Sequence, residues 1–172
     1  MTDLAKFIRD VADYPKPGIV FKDITPLLAD PTAFAAACDR MVAPYKDSSV
    51  THVVAIESRG FLFGAPIAMA LGVGLVPMRK AGKLPHTTSG ISYELEYGTD
   101  RLEIHTDALT STSRVVLVDD VLATGGTAAA ACQLIESLGA TVVGCSFLMR
   151  LGFLNGVERL ADRHVTSVLL CE

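Results

Sequence analysis

Val115-Val116-Leu117-Val118-Asp119-Asp120-Val121-Leu122-Ala123-Thr124-Gly125-Gly126-Thr127 is the run on which the fold turns. Four β-prone apolar residues lead into two adjacent carboxylates, a Thr-Gly-Gly-Thr turn follows, and an Ala-rich stretch comes next. This is the pattern of a buried strand, a charged strand end and a glycine turn opening a helix. Free backbone N–H groups and the helix dipole both favour an anion at such a turn, and glycine lets the backbone approach it closely. Thr124 and Thr127 add hydroxyl donors. An ionised carboxylate only accepts hydrogen bonds, and a sugar diol offers two donors. One loop is therefore suited to both ends of a ribose 5-phosphate. Alone, Asp119 and Asp120 read as two solvated acids at a strand end; the turn behind them favours the binding role. The lysine of Gly-x-x-x-x-Gly-Lys-Ser/Thr is missing, and Gly-x-Gly-x-x-Gly is not present either.

Strand-like runs occupy residues 51–57, 74–79, 115–119 (the start of the run above), 141–149 and 167–171. Most are continuously apolar, which suits strands covered on both faces of a parallel sheet. Asp30-Pro31 looks like an N-cap with proline at the first helical position, followed by a Phe34, Cys38, Met41 stripe. Residues 60–71 are helix-prone, with Pro66 in a first turn or at a kink. Ala131, Leu134, Ile135 and Leu138 form one helical face after the glycine turn, and Gly139 is a natural stop. The order is α/β, with helices expected on both sides of a mostly parallel central sheet. Residues 80–105 break the pattern: a polar loop, then alternating runs at 91–97 and 101–105 around Gly98-Thr99, read as an antiparallel hairpin serving as a lid.

At 172 residues the chain suits a single domain spanning 1–172, and 50% apolar with 20% charged residues fits a compact protein. A net charge of -4 argues against nucleic acid as the main partner. No apolar run approaches a membrane span, and the N-terminal segment has no signal-peptide core, so cytoplasmic residence is the expectation. Cys38, Cys132, Cys145 and Cys171 are widely spaced and read as small buried hydrophobes kept reduced. The four histidines show no zinc-site spacing.

Three other segments bear chemistry. Glu57-Ser58-Arg59-Gly60 ends an expected strand. An Arg there is as readily a surface charge, but a glycine and a helix follow it, and a guanidinium forks naturally onto two phosphate oxygens. Arg79-Lys80-Ala81-Gly82-Lys83-Leu84-Pro85 puts three cations in seven residues. It reads either as a solvated basic loop or as a mobile one that closes over a pyrophosphate. Pro17-Gly18-Ile19-Val20-Phe21-Lys22-Asp23-Ile24-Thr25-Pro26 is a breaker-bounded loop with an anchoring aromatic.

The Val115 to Thr127 run resembles the phosphoribosyl-pyrophosphate (PRPP) motif of the type I phosphoribosyltransferases. Residues 57–64 resemble the pyrophosphate loop of the adenine-specific branch, residues 79–85 its basic loop, and Leu95-Glu96-Tyr97-Gly98 continues the match. Residues 17–26 resemble its purine-binding hood. The resemblance runs from about residue 15 to residue 150 in one order. It implies a type I phosphoribosyltransferase fold with a small hood at about 15–30 and a flexible loop and hairpin at about 79–105. It also implies transfer of the phosphoribosyl group of PRPP to adenine, giving AMP and pyrophosphate in purine salvage. Contacts to PRPP or AMP then fall on Glu57, Ser58, Arg59, Gly60, Arg79, Lys80, Lys83, Tyr97, Asp119, Asp120, Ala123, Thr124, Gly125, Gly126 and Thr127. Val20, Phe21 and Lys22 hold adenine by stacking and backbone contacts, and Glu96, Arg59 and Lys83 carry catalytic roles. No protein metal cage is implied; Mg2+ is expected mainly through PRPP and water. A homodimer is implied, with no nucleic-acid or membrane partner. Two rivals are the same reaction on hypoxanthine, guanine or orotate, and a PRPP-sensing DNA-binding regulator.

Overall fold

The computed structural model describes residues 2–94 and 98–172, which gather into two units, Met1–Arg40 and Met41–Glu172. In the first, strands β1 (Arg9–Ala12) and β2 (Val20–Asp23) pair antiparallel, with Arg9 opposite Asp23 and Ala12 opposite Val20. Ion pairs tie the two strands: Arg9 Nη1 lies 3.5 Å from Asp23 Oδ2, and Lys22 Nζ 2.7 Å from Asp10 Oδ1. The loop between them closes where the Gly18 N–H donates to Asp13 Oδ1 at 2.8 Å. Asp23 starts the short helix α1 (Thr25–Ala29) by accepting from both the N–H and the hydroxyl of Thr25. Helix α2 (Pro31–Val42) begins as its sequence predicts, since Asp30 Oδ1 accepts the Ala33 N–H at 2.8 Å. Its buried seam differs from the expected stripe. Ala33 and Ala37 are fully buried, as is Met41, whereas Phe34 and Cys38 are half-buried on the flank. Small alanine side chains are enclosed completely where the larger Phe34 and Cys38 keep part of their surface open.

The second unit contains β3 (His52–Ile56), α3 (Gly60–Leu71), β4 (Gly74–Lys80), β5 (Thr88–Glu94), β6 (Thr99–His105), β7 (Arg114–Leu122), α4 (Gly126–Ser137), β8 (Thr141–Leu151) and β9 (Val165–Cys171). The seven strands run in the order β5-β6-β4-β3-β7-β8-β9. From β4 to β9 neighbours are parallel, and the β5/β6 hairpin adds antiparallel to the β4 edge. Alternate residues explain the continuously apolar strands. Val54, Ile56, Val115 and Leu117 pack in one cluster with Ala131, Leu134 and Ile135 of α4. The intervening Val53, Ala55, Val116 and Val118 are also buried, pointing to the other face. There α3 lies so close that a Cβ on Gly64 would sit 2.5 Å from the Ala55 Cβ. The helices therefore cover both faces, as right-handed crossovers leaving β3 and β7 in opposite directions require. α4 ends by way of Gly139, at φ +86°, whose N–H donates to the Glu136 carbonyl.

Two extents differ from the sequence reading. β7 continues past Asp119 to Leu122, because β8 still pairs with it there, Val121 opposite Met149 and Leu122 opposite Arg150. On the other side β3 stops pairing at Val118. The hairpin starts earlier than 91, with Thr88 opposite His105 and Glu94 opposite Thr99, since backbone pairing tolerates polar residues at a sheet edge. Cys132 and Cys145 are buried with their sulfurs 3.6 Å apart, Cys38 and Cys171 are half-buried, and all four are free thiols. Among the described residues no helix is long and apolar enough to cross a membrane.

Candidate active site

Strand order reverses between β3 and β7, and such a reversal leaves a crevice beyond the carboxyl ends of the strands. A cavity of about 530 Å3 opens there. The turn after β3 contributes Glu57, Ser58 and Arg59 to it, and β7 contributes Asp119 and Asp120. Lys80, Tyr93 and Asp100 wall it from β4, β5 and β6. Gly60 is required where α3 meets β7: a Cβ there would lie 2.9 Å from Asp119 Oδ1 and 3.0 Å from the Val118 carbonyl oxygen.

The two aspartates sit where β7 has lost β3 as a neighbour. The Asp120 N–H donates to Asp119 Oδ1 at 2.9 Å. Arg59 Nε lies 2.8 Å from Asp120 Oδ2, a charge contact in which the N–H does not point at the oxygen. Asp120 is 4% exposed, while Asp119 opens on the cavity and is otherwise enclosed. Burial, and then the neighbouring Asp120 charge, hold the Asp119 carboxyl well above the usual carboxylate range. Burial also raises Asp120, against the opposing charge of Arg59. Enclosed carboxyls of this kind are stabilised as anions by hydrogen-bond donors, and a diol is a source of two.

Beyond the acids the chain turns into α4 through Gly125, at φ +80°. A small recess of about 90 Å3 is lined by Asp119 and the run 121–128. No side chain caps α4, so the N–H groups of its first turn stay available for a ligand. Thr127 Oγ1 donates to the Tyr93 hydroxyl at 3.4 Å. Behind the turn, a Cβ on Gly156 would come 2.1 Å from the Ala123 carbonyl oxygen, and one on Gly125 would come 2.3 Å from the Gly156 carbonyl oxygen. The 3-10 helix Gly156–Leu160 is thus packed directly on the turn.

The basic segment is only partly directed at the cavity. Arg79 donates from Nε and Nη2 to Glu57, at 3.0 and 3.3 Å, and from Nη1 to the Lys83 carbonyl at 3.0 Å. Burial acts upward on the Glu57 carboxyl, but the bonds from Arg79 and from the Lys80 N–H outweigh it and lower its pKa. Lys80 lines the cavity with its ammonium 3.1 Å from Asp100 Oδ2, and that hydrogen bond raises its pKa. Arg79 and Lys83 do not line the cavity, and Lys83 is exposed. Glu96 and Tyr97 lie outside the described residues. Val20, Phe21 and Lys22 belong to the first unit, where Val20 is 52% exposed and Phe21 meets Tyr14 edge-on with ring centroids 5.2 Å apart.

Sequence reasoning passed over Tyr93 and Asp100, which carry no motif and reach the cavity only through the pairing of the hairpin with β4. It also passed over the 156–160 segment behind the turn. Among the described residues no three His, Cys, Asp or Glu side chains converge on a metal position. A second cavity, about 480 Å3, is walled by Leu122, Leu151, Phe153, Val157 and Leu170 among others, and holds none of the acids or cations singled out from the sequence.

Residues 27–172 match the phosphoribosyl transferase domain family. The chain is 53% identical over 169 residues to the adenine phosphoribosyltransferase of Nitrosococcus oceani, covering 98% of this chain and 99% of that protein. The crystal structure of adenine phosphoribosyltransferase from Rhodothermus marinus matches with a TM-score of 0.93 at 49% identity, covering 98% of this chain and 96% of that one. The APRTase of Giardia lamblia, complexed with 9-deazaadenine, matches with a TM-score of 0.94 at 38% identity, covering 99% and 97%. With the strand-order crevice, the paired aspartates and the glycine turn, these matches show that the chain belongs to the adenine phosphoribosyltransferases, a branch of the type I phosphoribosyltransferase family.

Proposed function

We propose that the crevice between the ends of β3 and β7 is where the chain carries out its family's reaction, transfer of the 5-phosphoribosyl group of PRPP to adenine with release of pyrophosphate. The observation that carries this reading is the contiguity of two enclosed aspartates on the crevice with an uncapped glycine turn that lines the adjoining recess. Asp119 and Asp120 accept from the ribose hydroxyls, and residues 123–127 hold the 5-phosphate through backbone N–H groups and threonine hydroxyls. Glu57, Ser58, Arg59, Gly60 and Lys80 face the pyrophosphate. Charge develops on that leaving group as the ribose becomes oxocarbenium-like, so fixed cations there stabilise the transition state more than the ground state. Arg79 braces Glu57 and the Lys83 carbonyl, and so shapes the strand end that presents Lys80. Lys83 closes over the pyrophosphate as the loop moves. Glu96 assists proton removal from adenine, and Tyr97 borders the PRPP. In the first unit, Val20, Phe21 and Lys22 form the adenine hood, so that the whole chain works as one functional domain.

Magnesium is expected to arrive with PRPP, held mainly by PRPP oxygens and water. When bound, it neutralises charge on the pyrophosphate. A homodimer is also proposed. Leu62 and Met69 of α3, 43% and 83% exposed, and Leu75 of β4, 42% exposed, are large apolar side chains of the kind that protomers bury. Cytoplasmic residence completes the reading.

Lys83→Ala tests the loop. Losing a charge contact made in the transition state costs about 3 kcal/mol, or about a hundredfold in the single-turnover rate, with adenine affinity unchanged. An unchanged single-turnover rate would remove Lys83 from the mechanism.

A further inference from the structure

We propose that Arg159 is a 5-phosphate-binding residue, supplying the positive charge that the glycine turn itself lacks. The proposal rests on the reading that residues 123–127 hold the 5-phosphate. The recess at that turn is lined by Asp119 and residues 121–128, none of them cationic. A phosphate monoester brings between one and two negative charges near neutral pH, and a helix N-terminus offsets only about half a charge. With two aspartates at the adjoining strand end, the bound phosphate is left in an uncompensated negative field. The cations on the pyrophosphate side are already engaged: Arg59 with Asp120, Arg79 with Glu57 and Lys80 with Asp100.

Arg159 approaches from the opposite side. A Cβ on Gly125 would lie 3.2 Å from the Arg159 Cβ, and one on Gly126 would lie 3.3 Å from Arg159 Nη1. The same position on Gly126 is 3.9 Å from Thr124 Oγ1, so the guanidinium reaches the side of the turn that carries a threonine hydroxyl. Its place is set by packing, since Gly156 of the same helical turn is pressed onto Ala123 and Gly125. Among the described residues the Arg159 side chain makes no hydrogen bond or ion pair. Arg163, one turn further on, is held by Glu136 at 2.8 and 2.9 Å. Arg159 is thus an exposed guanidinium, anchored beside an anion turn and paired with no acid among the described residues. A rotation of its terminal torsions brings two N–H donors onto one phosphate, the bidentate arrangement for which arginine is suited.

The test is calorimetric titration of AMP, ribose 5-phosphate, adenosine and pyrophosphate into the intact protein and into Arg159→Gln, Arg159→Lys and Thr127→Ala. A charge-assisted contact predicts about tenfold weaker binding of AMP and ribose 5-phosphate to R159Q. Adenosine and pyrophosphate affinities stay within twofold, and R159K recovers part of the loss. A purely structural role would not be rescued by lysine and would weaken adenosine as well. R159Q binding ribose 5-phosphate as tightly as the intact protein, while T127A loses affinity, would overturn the role of Arg159 alone. Unchanged binding in both variants would overturn the assignment of the turn and this proposal with it.

Discussion

Asp119 holds its proton more tightly in the folded chain than in water, because protein encloses it and Asp120 adds a second negative charge. A carboxyl whose folded pKa is raised contributes most to stability at low pH, and the contribution is lost as pH rises through the folded value. As pH rises, the unliganded protein comes to carry the strain of two neighbouring enclosed acids. Asp119→Asn removes that strain and keeps an oxygen to accept the Asp120 N–H. It therefore raises the Tm of the unliganded protein at pH 7, by about 2–4 °C for a gain of about 1 kcal/mol. The advantage shrinks toward pH 4. Activity falls in the same variant, because the ribose loses an anionic acceptor. Scanning calorimetry from pH 4 to pH 8 checks the first half, and turnover at saturating substrates the second. A Tm advantage that grew toward acid pH would contradict the electrostatic account, and undiminished turnover would contradict the ribose contact. Glu57 works in the opposite sense. Its lowered pKa stabilises the fold above the ordinary carboxylate range and ceases to do so as pH falls through the folded value.

The element proposed to hold the 5-phosphate is the turn between β7 and α4, and its glycines answer to the segment behind it. A Cβ at Gly156 would meet backbone atoms of Ala123 and Gly125, which cannot swing aside as a side chain could. Gly156→Ala is expected to displace the turn, weaken AMP binding at least tenfold and lower Tm, with overpacking costing about 1–3 kcal/mol. Wild-type AMP affinity in that variant would show that the 156–160 segment does not set the turn. Asp30→Ala is the contrasting case. It removes the cap of α2 and costs about 1 kcal/mol of stability, read as a shift in denaturant midpoint. What the sequence makes legible follows from contiguity. Strand, acids, turn and helix are adjacent in the chain between 115 and 137, so their periodicity and chemistry can be read together. The Asp30 cap and the Gly139 stop are legible for the same reason. Tyr93 and Asp100 enter the cavity only because β6 pairs with β4, and Gly156 and Arg159 meet the turn only after β8 has returned the chain to it. Those contacts are products of topology and leave no local pattern. The offset in α2 is a subtler case: hydrophobicity marks Phe34 and Cys38, whereas packing selects the alanines beside them.

At the scale of the whole molecule, the reversal of strand order brings the starts of two crossovers together, so that residues 57–59 and 119–120 line one crevice and residues 121–128 the recess that adjoins it at Asp119. Exposed Leu62 and Met69 lie on the helix that follows the first of these segments, and exposed Leu75 lies on β4. If these side chains join two protomers, Met69→Glu converts the protein to a monomer in sedimentation velocity. A variant dimer as tight as the unaltered one would place the interface elsewhere. The central claim, that this cavity transfers a phosphoribosyl group to adenine, is tested most directly by pyrophosphate release from PRPP and magnesium. Adenine, hypoxanthine, guanine, orotate and no base are compared in parallel, with AMP measured as the second product. The account predicts pyrophosphate and AMP in equal amounts with adenine and none with the other bases. Turnover with another base, or PRPP binding without turnover on any base, would contradict it.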